Sequence, residues 1–359
     1  MVGAIAFLFV LGILIVVHEF GHFIAAKKVG VKVEKFSLGF GRKLIGTKKG
    51  DTEYTINLVP LGGYVKLAGD SREDYKGGKD EYLSKSPKDR AFIIFTGPLF
   101  NYFLGLLCFW IVYCCGYPML TTKIGAVLDG FGAKKAGIQV GDKITAVDGK
   151  KVAYFEDMQK LIQGKSDAAV VKLSVERGGK AFDVDVLIKE RALNDELGKK
   201  RNVGLIGITP SDDIVSVKYP PLMSVGLAVD KTWGLTVLTY KSLWRMITGK
   251  MSMRDSVTGP LGIFYVTKAA ASLGFIMLIH LLAVLSLSLT IFNLLPLPIL
   301  DGGHIMFLGM EKIRRRPLSA KTERIVTNVG LTVLMSLVVL ITYNDIARIY
   351  GDKIKSFFK

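Results

Sequence analysis

The stretch ILIVVHEFGHFIAAKK (Ile13–Lys28) places a His-Glu-x-x-His pattern inside a run otherwise suited to lipid. On a helix, His18 and His22 are four residues apart and project from one face. Glu19 stands beside them, able to reach a metal-held water without being a ligand. The pattern suits zinc, which accepts imidazole nitrogens. In a chain of this composition it is expected by chance on the order of 10⁻³ times. Three ionisable residues within one apolar run are costly and mark a functional site.

Outward from this stretch, the run Val2–Ala26 is the first of four that reach the ~20 residues needed to cross a bilayer. The others are Ala91–Cys115, Leu273–Leu295 and Val326–Tyr343. No basic residue precedes the first apolar run, and Lys27 and Lys28 follow it. That order argues against a secretory signal and puts the N-terminus outside. The connections Lys27–Arg90 and Glu311–Arg324 are rich in Lys and Arg, so both read as cytoplasmic and the topology alternates from outside. The net charge of +17 lies largely in loops beside apolar runs, which suits topology control better than a nucleic-acid partner. The three cysteines, Cys108, Cys114 and Cys115, fall in or at the end of one apolar run and build no disulfide framework. Residues 221–250 imitate a fifth span, but Asp230, Lys231, Lys241 and Arg245 interrupt it. It reads as a surface-lying amphipathic helix or a helix of the soluble domain.

Catalytic zinc usually takes three protein ligands and keeps one position open. His280 lies within the third run, roughly 30 Å of helix from residue 301, and so near the opposite face. Asp301, in IFNLLPLPILDGGH (Ile291–His304), arrives at the inner end of that run, on the side to which the first run delivers His18 and His22. Pro296 and Pro298 break the helix there, and Gly302 and Gly303 allow close backbone approach. His304 competes as the third ligand or partners Asp301. Asp129, in a second Leu-Asp-Gly, falls in the soluble region.

Thr121–Glu190 reads as a compact α/β module, and its KKAGIQVGDKITAVDGK segment resembles the core of a PDZ domain. Such a module either captures an extended peptide or substrate ectodomain at a sheet edge or acts as a structural plug. Tyr54–Gly69 alternates on both sides of Pro60-Leu61-Gly62-Gly63, the pattern of a β-hairpin, cytoplasmic or reentrant. The domains expected are 1–120 (spans 2–26 and 91–115, hairpin 54–69), the module 121–190, a linker with the amphipathic helix at 191–256, and 257–359 (spans 273–295 and 326–343).

His18-Glu19-x-x-His22, Gly97-Pro98-x-x-Asn101 and Asn293-x-x-Pro296-x-Pro298-x-x-Asp301-Gly302 occur together and in order. With them the chain resembles the site-2 proteases, in the bacterial branch of regulator of sigma-E protease type, along nearly its whole length. The resemblance implies an α-helical membrane protein with four transmembrane helices, a periplasmic PDZ insertion and an intramembrane zinc protease activity. It implies a bacterial inner membrane location with the active site toward the cytoplasm. It implies that His18, His22 and Asp301 hold Zn2+, that Glu19 is the catalytic acid/base and that Asn293 helps to hold the substrate backbone. An element like 54–69 dips into the membrane beside the zinc in that family, which puts Gly62, Gly63 and Tyr64 at the substrate strand. Asn101 either contacts substrate or serves interhelical packing. Substrates implied are membrane-spanning proteins, such as tethered anti-sigma factors or signal-peptide remnants. The competing readings are a membrane-anchored zinc peptidase acting on cytoplasmic proteins, a non-enzymatic PDZ receptor and a metal transporter. Related enterobacterial chains carry two PDZ domains, whereas this one has room for about one.

Overall fold

The computed structural model describes residues 2–194, 197, 200–252, 256–316 and 319–357. The chain divides into two compact units, one of residues 1–112, 221–244 and 252–359, the other of residues 113–220 and 245–251.

The first unit opens with α1 (Val2–Lys28), whose last turn carries Lys27 and Lys28 against the negative end of the helix dipole. At 1.5 Å per residue it is ~40 Å long, enough to cross a ~30 Å hydrocarbon layer. Next come β1 (Val33–Lys49) and β2 (Thr52–Leu67), joined by a tight turn containing Gly50. The expected fold-back of 54–69 at Pro60–Gly63 does not form. Residues 35–38 of β1 instead pair with 53–56 on one side and 63–66 on the other, so β1 lies between the two halves of β2. Alternation reports that each half is partly buried but not which strand lies beside it. Buried hydroxyls and an amide join these strands: Thr55 Oγ1 donates to Ser37 Oγ at 3.0 Å, and Asn57 Nδ2 to the same oxygen at 2.8 Å. The helix α2 (Pro87–Cys115) starts four residues before the expected span. Ser86 is its cap, accepting the Asp89 N–H at 3.2 Å and donating to Asp89 Oδ2 at 2.7 Å.

The second unit holds β3 (Tyr117–Leu120), β4 (Ile124–Val127), α3 (Gly132–Lys135), β5 (Lys143–Val147), β6 (Lys150–Lys151), α4 (Phe155–Gln163), β7 (Val170–Arg177) and β8 (Lys180–Leu187). Four strands form an antiparallel sheet in the order β6-β5-β7-β8. Gly178 and Gly179, both at positive φ, make the β7–β8 turn. Met158 and Ile162, four apart on α4, pack into a core with Ile144, Leu173, Val175 and Val186. Asp142, before β5, accepts a two-pronged bond from Arg177 at 2.6 and 2.7 Å. The unit extends beyond the expected 121–190. Part of the expected linker forms β9 (Lys189–Asn194), β10 (Lys200–Leu205), β11 (Ile208–Pro210) and β12 (Ile214–Val217). There β9 pairs with β10, β11 with β4 and β12 with β3. Strands of three or four residues are too short to show an alternation.

Back in the first unit, α5 (Pro221–Ile247) buries Ser224, Ala228 and Thr232, a small-residue stripe at four-residue spacing. It runs antiparallel to α2: Trp110 Nε1 donates to Pro221 O at 3.1 Å, and the Tyr102 and Thr236 hydroxyls lie 3.3 Å apart. The amphipathic helix thus packs on α2. A separate helix, α6 (Pro260–Leu273), lies antiparallel against α1 through Phe264 and Phe7, ring centroids 5.7 Å apart. Gly274 at φ 115° breaks the chain before α7 (Phe275–Asn293). The helices α8 (Asp301–Arg314) and α9 (Ala320–Phe357) complete the unit. Among the described residues, four segments are long and apolar enough to cross a membrane: Val2–Lys28, Pro87–Cys115, Phe275–Asn293 and Arg324–Tyr350. They match the four expected runs to within a few residues at most ends.

Candidate metal centre

The centre forms where α1, α2, α7 and the start of α8 meet. A side-chain carbon at Gly21 would strike the backbone of Thr96, and one at Gly97 would fall on the His22 imidazole, so glycine at both positions lets α1 and α2 touch. Pro98 lies inside α2 and cannot donate to the carbonyl four residues back, which loosens that turn. One residue earlier, Ile93 O accepts a hydrogen bond from His22 Nδ1 at 2.9 Å. Two hydroxyls tie α7 to the same turn: Thr290 Oγ1 donates to Pro98 O at 3.0 Å and Ser286 Oγ to Asn101 O at 2.9 Å.

Asp301 is the first residue of α8. Gly302 and Gly303 follow it with no room for a side chain, because the backbone of Leu294–Pro298 folds against them. That close packing sets the carboxylate beneath α1. Asp301 Oδ2 lies 3.1 Å from His18 Nε2, and Oδ1 lies 3.7 Å from His22 Nε2. The two Nε2 atoms are 3.2 Å apart. His18, His22 and Asp301 are the one metal-capable cluster of three among the described residues. Ligands ~2.05 Å from a tetrahedral zinc stand about 3.3–3.4 Å from one another, so the observed spacings fit zinc. Two further features fit. Asp301 Oδ2 is buried and accepts no hydrogen bond. The Ile93 carbonyl takes the Nδ1 proton of His22 and leaves its Nε2 lone pair facing the cluster.

Glu19 lies on the side of α1 that faces β2. A carbon added at Gly63 would come within 3.3 Å of Glu19 Cγ, and the Val65 backbone also stands beside that carboxyl. Among the described residues, 63–66 pair along one edge only, with β1, and no strand lies on the other edge. Gly62, at φ 119°, packs against Phe40, and Tyr64 stacks on the same ring, centroids 6.1 Å apart. Asn293 Nδ2 lies 3.5 Å from His18 Nε2. Asn101 Nδ2 lies 3.5 Å from His18 Nδ1, and its residue is fully buried. His280 packs edge-on to Phe109. His304 is exposed and outside the cluster, its ring toward Phe307. Asp129 belongs to the second unit and pairs with Lys134. The Ile93 carbonyl escaped the sequence reading because a backbone oxygen has no side-chain signature. The available hint was a proline within an apolar helix.

The profile of peptidase family M50 matches residues 6–337. An Agrobacterium fabrum protein provisionally named zinc metalloprotease Atu1380 is 32% identical, over 97% of this chain and 96% of its own length. Zinc metalloprotease RasP of Oceanobacillus iheyensis is 27% identical, over 98% of this chain and all of its own. The PDZ domain of a Listeria monocytogenes SdrC-like protein matches 25% of the chain and 86% of its own length at 26% identity, with a TM-score of 0.21, too low to bear on the fold.

Proposed function

Because the chain belongs to peptidase family M50 and is a multi-pass membrane zinc metalloprotease, we propose that it hydrolyses peptide bonds within or beside the membrane segments of single-span proteins. The carrying observation is the position of the three donor atoms. His18 and His22 lie about 14 and 8 Å of helix from Lys27, the basic end of α1. Asp301 follows directly on α7. A bond cut there must be brought to membrane depth.

In this reading His18, His22 and Asp301 hold the zinc. When bound, zinc supplies Lewis acidity to water and to a peptide carbonyl. The Glu19 carboxylate takes the proton from the attacking water and delivers it to the departing amide nitrogen. The open edge at Gly63–Val65 pairs with a substrate strand pulled out of its helix, which exposes the carbonyl and aligns it with Glu19. Gly62 and Tyr64 shape that edge with Phe40. Asn293 Nδ2 donates to the substrate carbonyl or to the oxyanion that develops from it. The basic connections Lys27–Arg90 and Glu311–Arg324 support a site that opens toward the cytoplasm, in a bacterial inner membrane. The second unit, with its PDZ-like sheet, faces outward and meets the substrate's ectodomain. Tethered anti-sigma factors and signal-peptide remnants have the required single span.

Glu19→Gln tests this with purified protein and a single-span substrate in detergent. Zinc should remain bound while cleavage falls by at least about 100-fold. Mapping the wild-type cut should find it within or at the edge of the substrate's span. Cleavage at the wild-type rate by zinc-loaded Glu19→Gln would overturn the role of Glu19. Cuts confined to soluble segments would instead mark a membrane-anchored peptidase of cytoplasmic proteins.

A further inference from the structure

We propose that Asn101 is a positioning residue for His18, its side-chain oxygen accepting the Nδ1 proton of that imidazole and so presenting Nε2 to the metal. The inference rests on the reading of His18, His22 and Asp301 as the zinc ligands.

A neutral imidazole carries one N–H. His18 Nε2 faces Asp301 Oδ2 at 3.1 Å and His22 Nε2 at 3.2 Å, so it is the ligating nitrogen and must be bare. The proton then sits on Nδ1, where a buried N–H requires an acceptor. His22 meets the same requirement through Ile93 O. For His18 the group at hand is the Asn101 amide, 3.5 Å from Nδ1. As placed, its nitrogen faces Nδ1, which would set two donors against each other, while Asn101 Oδ1 is buried without a partner. A half-turn of the terminal amide exchanges the two atoms, which are nearly equal in size and are assigned by the hydrogen bonds they make. It gives Nδ1–H its acceptor and gives the orphaned oxygen its donor.

The helix geometry supports the pairing independently. Gly97 and Asn101 are four apart on one face of α2, as His18 and His22 are on α1. Gly97 meets His22, and Asn101 meets His18. Ser286 and Thr290 hold the carbonyls of Asn101 and Pro98 from the far side. Asn101 has no exposed surface, so a substrate strand does not reach it.

Zinc affinity of the full-length protein in detergent, measured by competition with a chelator, tests the assignment. Asn101→Leu keeps the size and removes the acceptor, and should weaken zinc by about 10- to 100-fold. Asn101→Asp restores an acceptor on either arm and should hold zinc within a few-fold of wild type. Equal affinity in wild type and Asn101→Leu would overturn the proposal, as would equal losses in both variants. Should Asn101→Leu fail to fold, ¹⁵N-histidine spectra of the zinc-loaded wild type decide, since the chain has 4 histidines. A proton on His18 Nδ1 is the expected result, and a bare Nδ1 the overturning one. A wild-type chain that binds no zinc in this assay would instead overturn the metal site itself.

Discussion

The Nδ1 atom of His22 and the carbonyl oxygen of Ile93 lie 2.9 Å apart, joining two helices that begin the chain's first and second apolar spans. This bond sets the ring's orientation and its tautomer together. It exists because Gly97 leaves the imidazole room against α2.

Gly97→Ala should therefore turn or expel the His22 ring. Zinc affinity is expected to fall about 10- to 100-fold, as for loss of a ligand's supporting hydrogen bond. Gly12→Ala, in the span that carries His22 and with nothing within 4 Å of the added carbon, is the control and should bind zinc normally. Chelator competition separates the two. Equal affinities would mean that the contact with Gly97 does not govern the ring.

Gly63→Val should separate metal binding from turnover. The atoms nearest the added β-carbon are Ile15 Cγ2, Ser37 O and Glu19 Cγ, none of them in His18, His22 or Asp301. Zinc content should stay at the wild-type level, while kcat/KM falls by about 100-fold, the scale of a ~1 Å misplacement of reacting groups. Unchanged turnover would show that substrate does not use this edge.

Arg90 and Glu311 form a largely buried ion pair at 2.5 Å, fastening α8, and with it Asp301, to the start of α2. Glu311→Leu leaves the guanidinium unpaired and should cost about 3 kcal/mol of stability, with weakened zinc binding. The double variant Arg90→Met, Glu311→Leu should recover most of that loss. Thermal unfolding of the purified chain checks both, and a double variant as unstable as the single would refute the account.

The second unit should be acid-sensitive through Asp142. The Arg177 guanidinium beside it holds this carboxyl below the usual carboxylate range, helped by the Gln139 N–H. A depressed folded-state pKa gives stability that is complete above the unfolded value of ~3.9 and lost as pH falls through the lower, folded value. Limited proteolysis of residues 113–220 should show protection near neutrality that fades below about pH 4. Asp142→Asn should be less protected at pH 7, and its deficit should shrink as pH falls below the unfolded value toward the lower, folded one. Parallel acid curves for the two would contradict this.

The sequence exposed the four apolar helices and the cluster of His18, His22 and Asp301 for one physical reason. Lipid enforces long uninterrupted apolar runs, and polar side chains within or at the ends of such runs are few enough to be matched by depth. The failures were in pairing. Both halves of β2 alternate as strands should, yet their common neighbour is residues 35–38, a stretch whose flanking Gly39 and Gly41 at positive φ bend the chain unpredictably. β11 and β12 are too short to signal themselves and are defined by partners more than 80 residues earlier. α6 was hidden because Gly274 alone separates it from α7. The Asn101 amide was ambiguous because its role depends on which atom faces His18, and that follows only from its buried surroundings.

X-ray absorption at the zinc edge of the purified, zinc-loaded chain tests the central claim most directly, since it reads the donor atoms themselves. The account predicts one zinc per chain, bound by two imidazole nitrogens and oxygen at about 2.0–2.2 Å, with no sulfur, and loss of that spectrum in Asp301→Ala. A sulfur shell, or an Asp301→Ala variant whose zinc spectrum and affinity match the wild type, would contradict it.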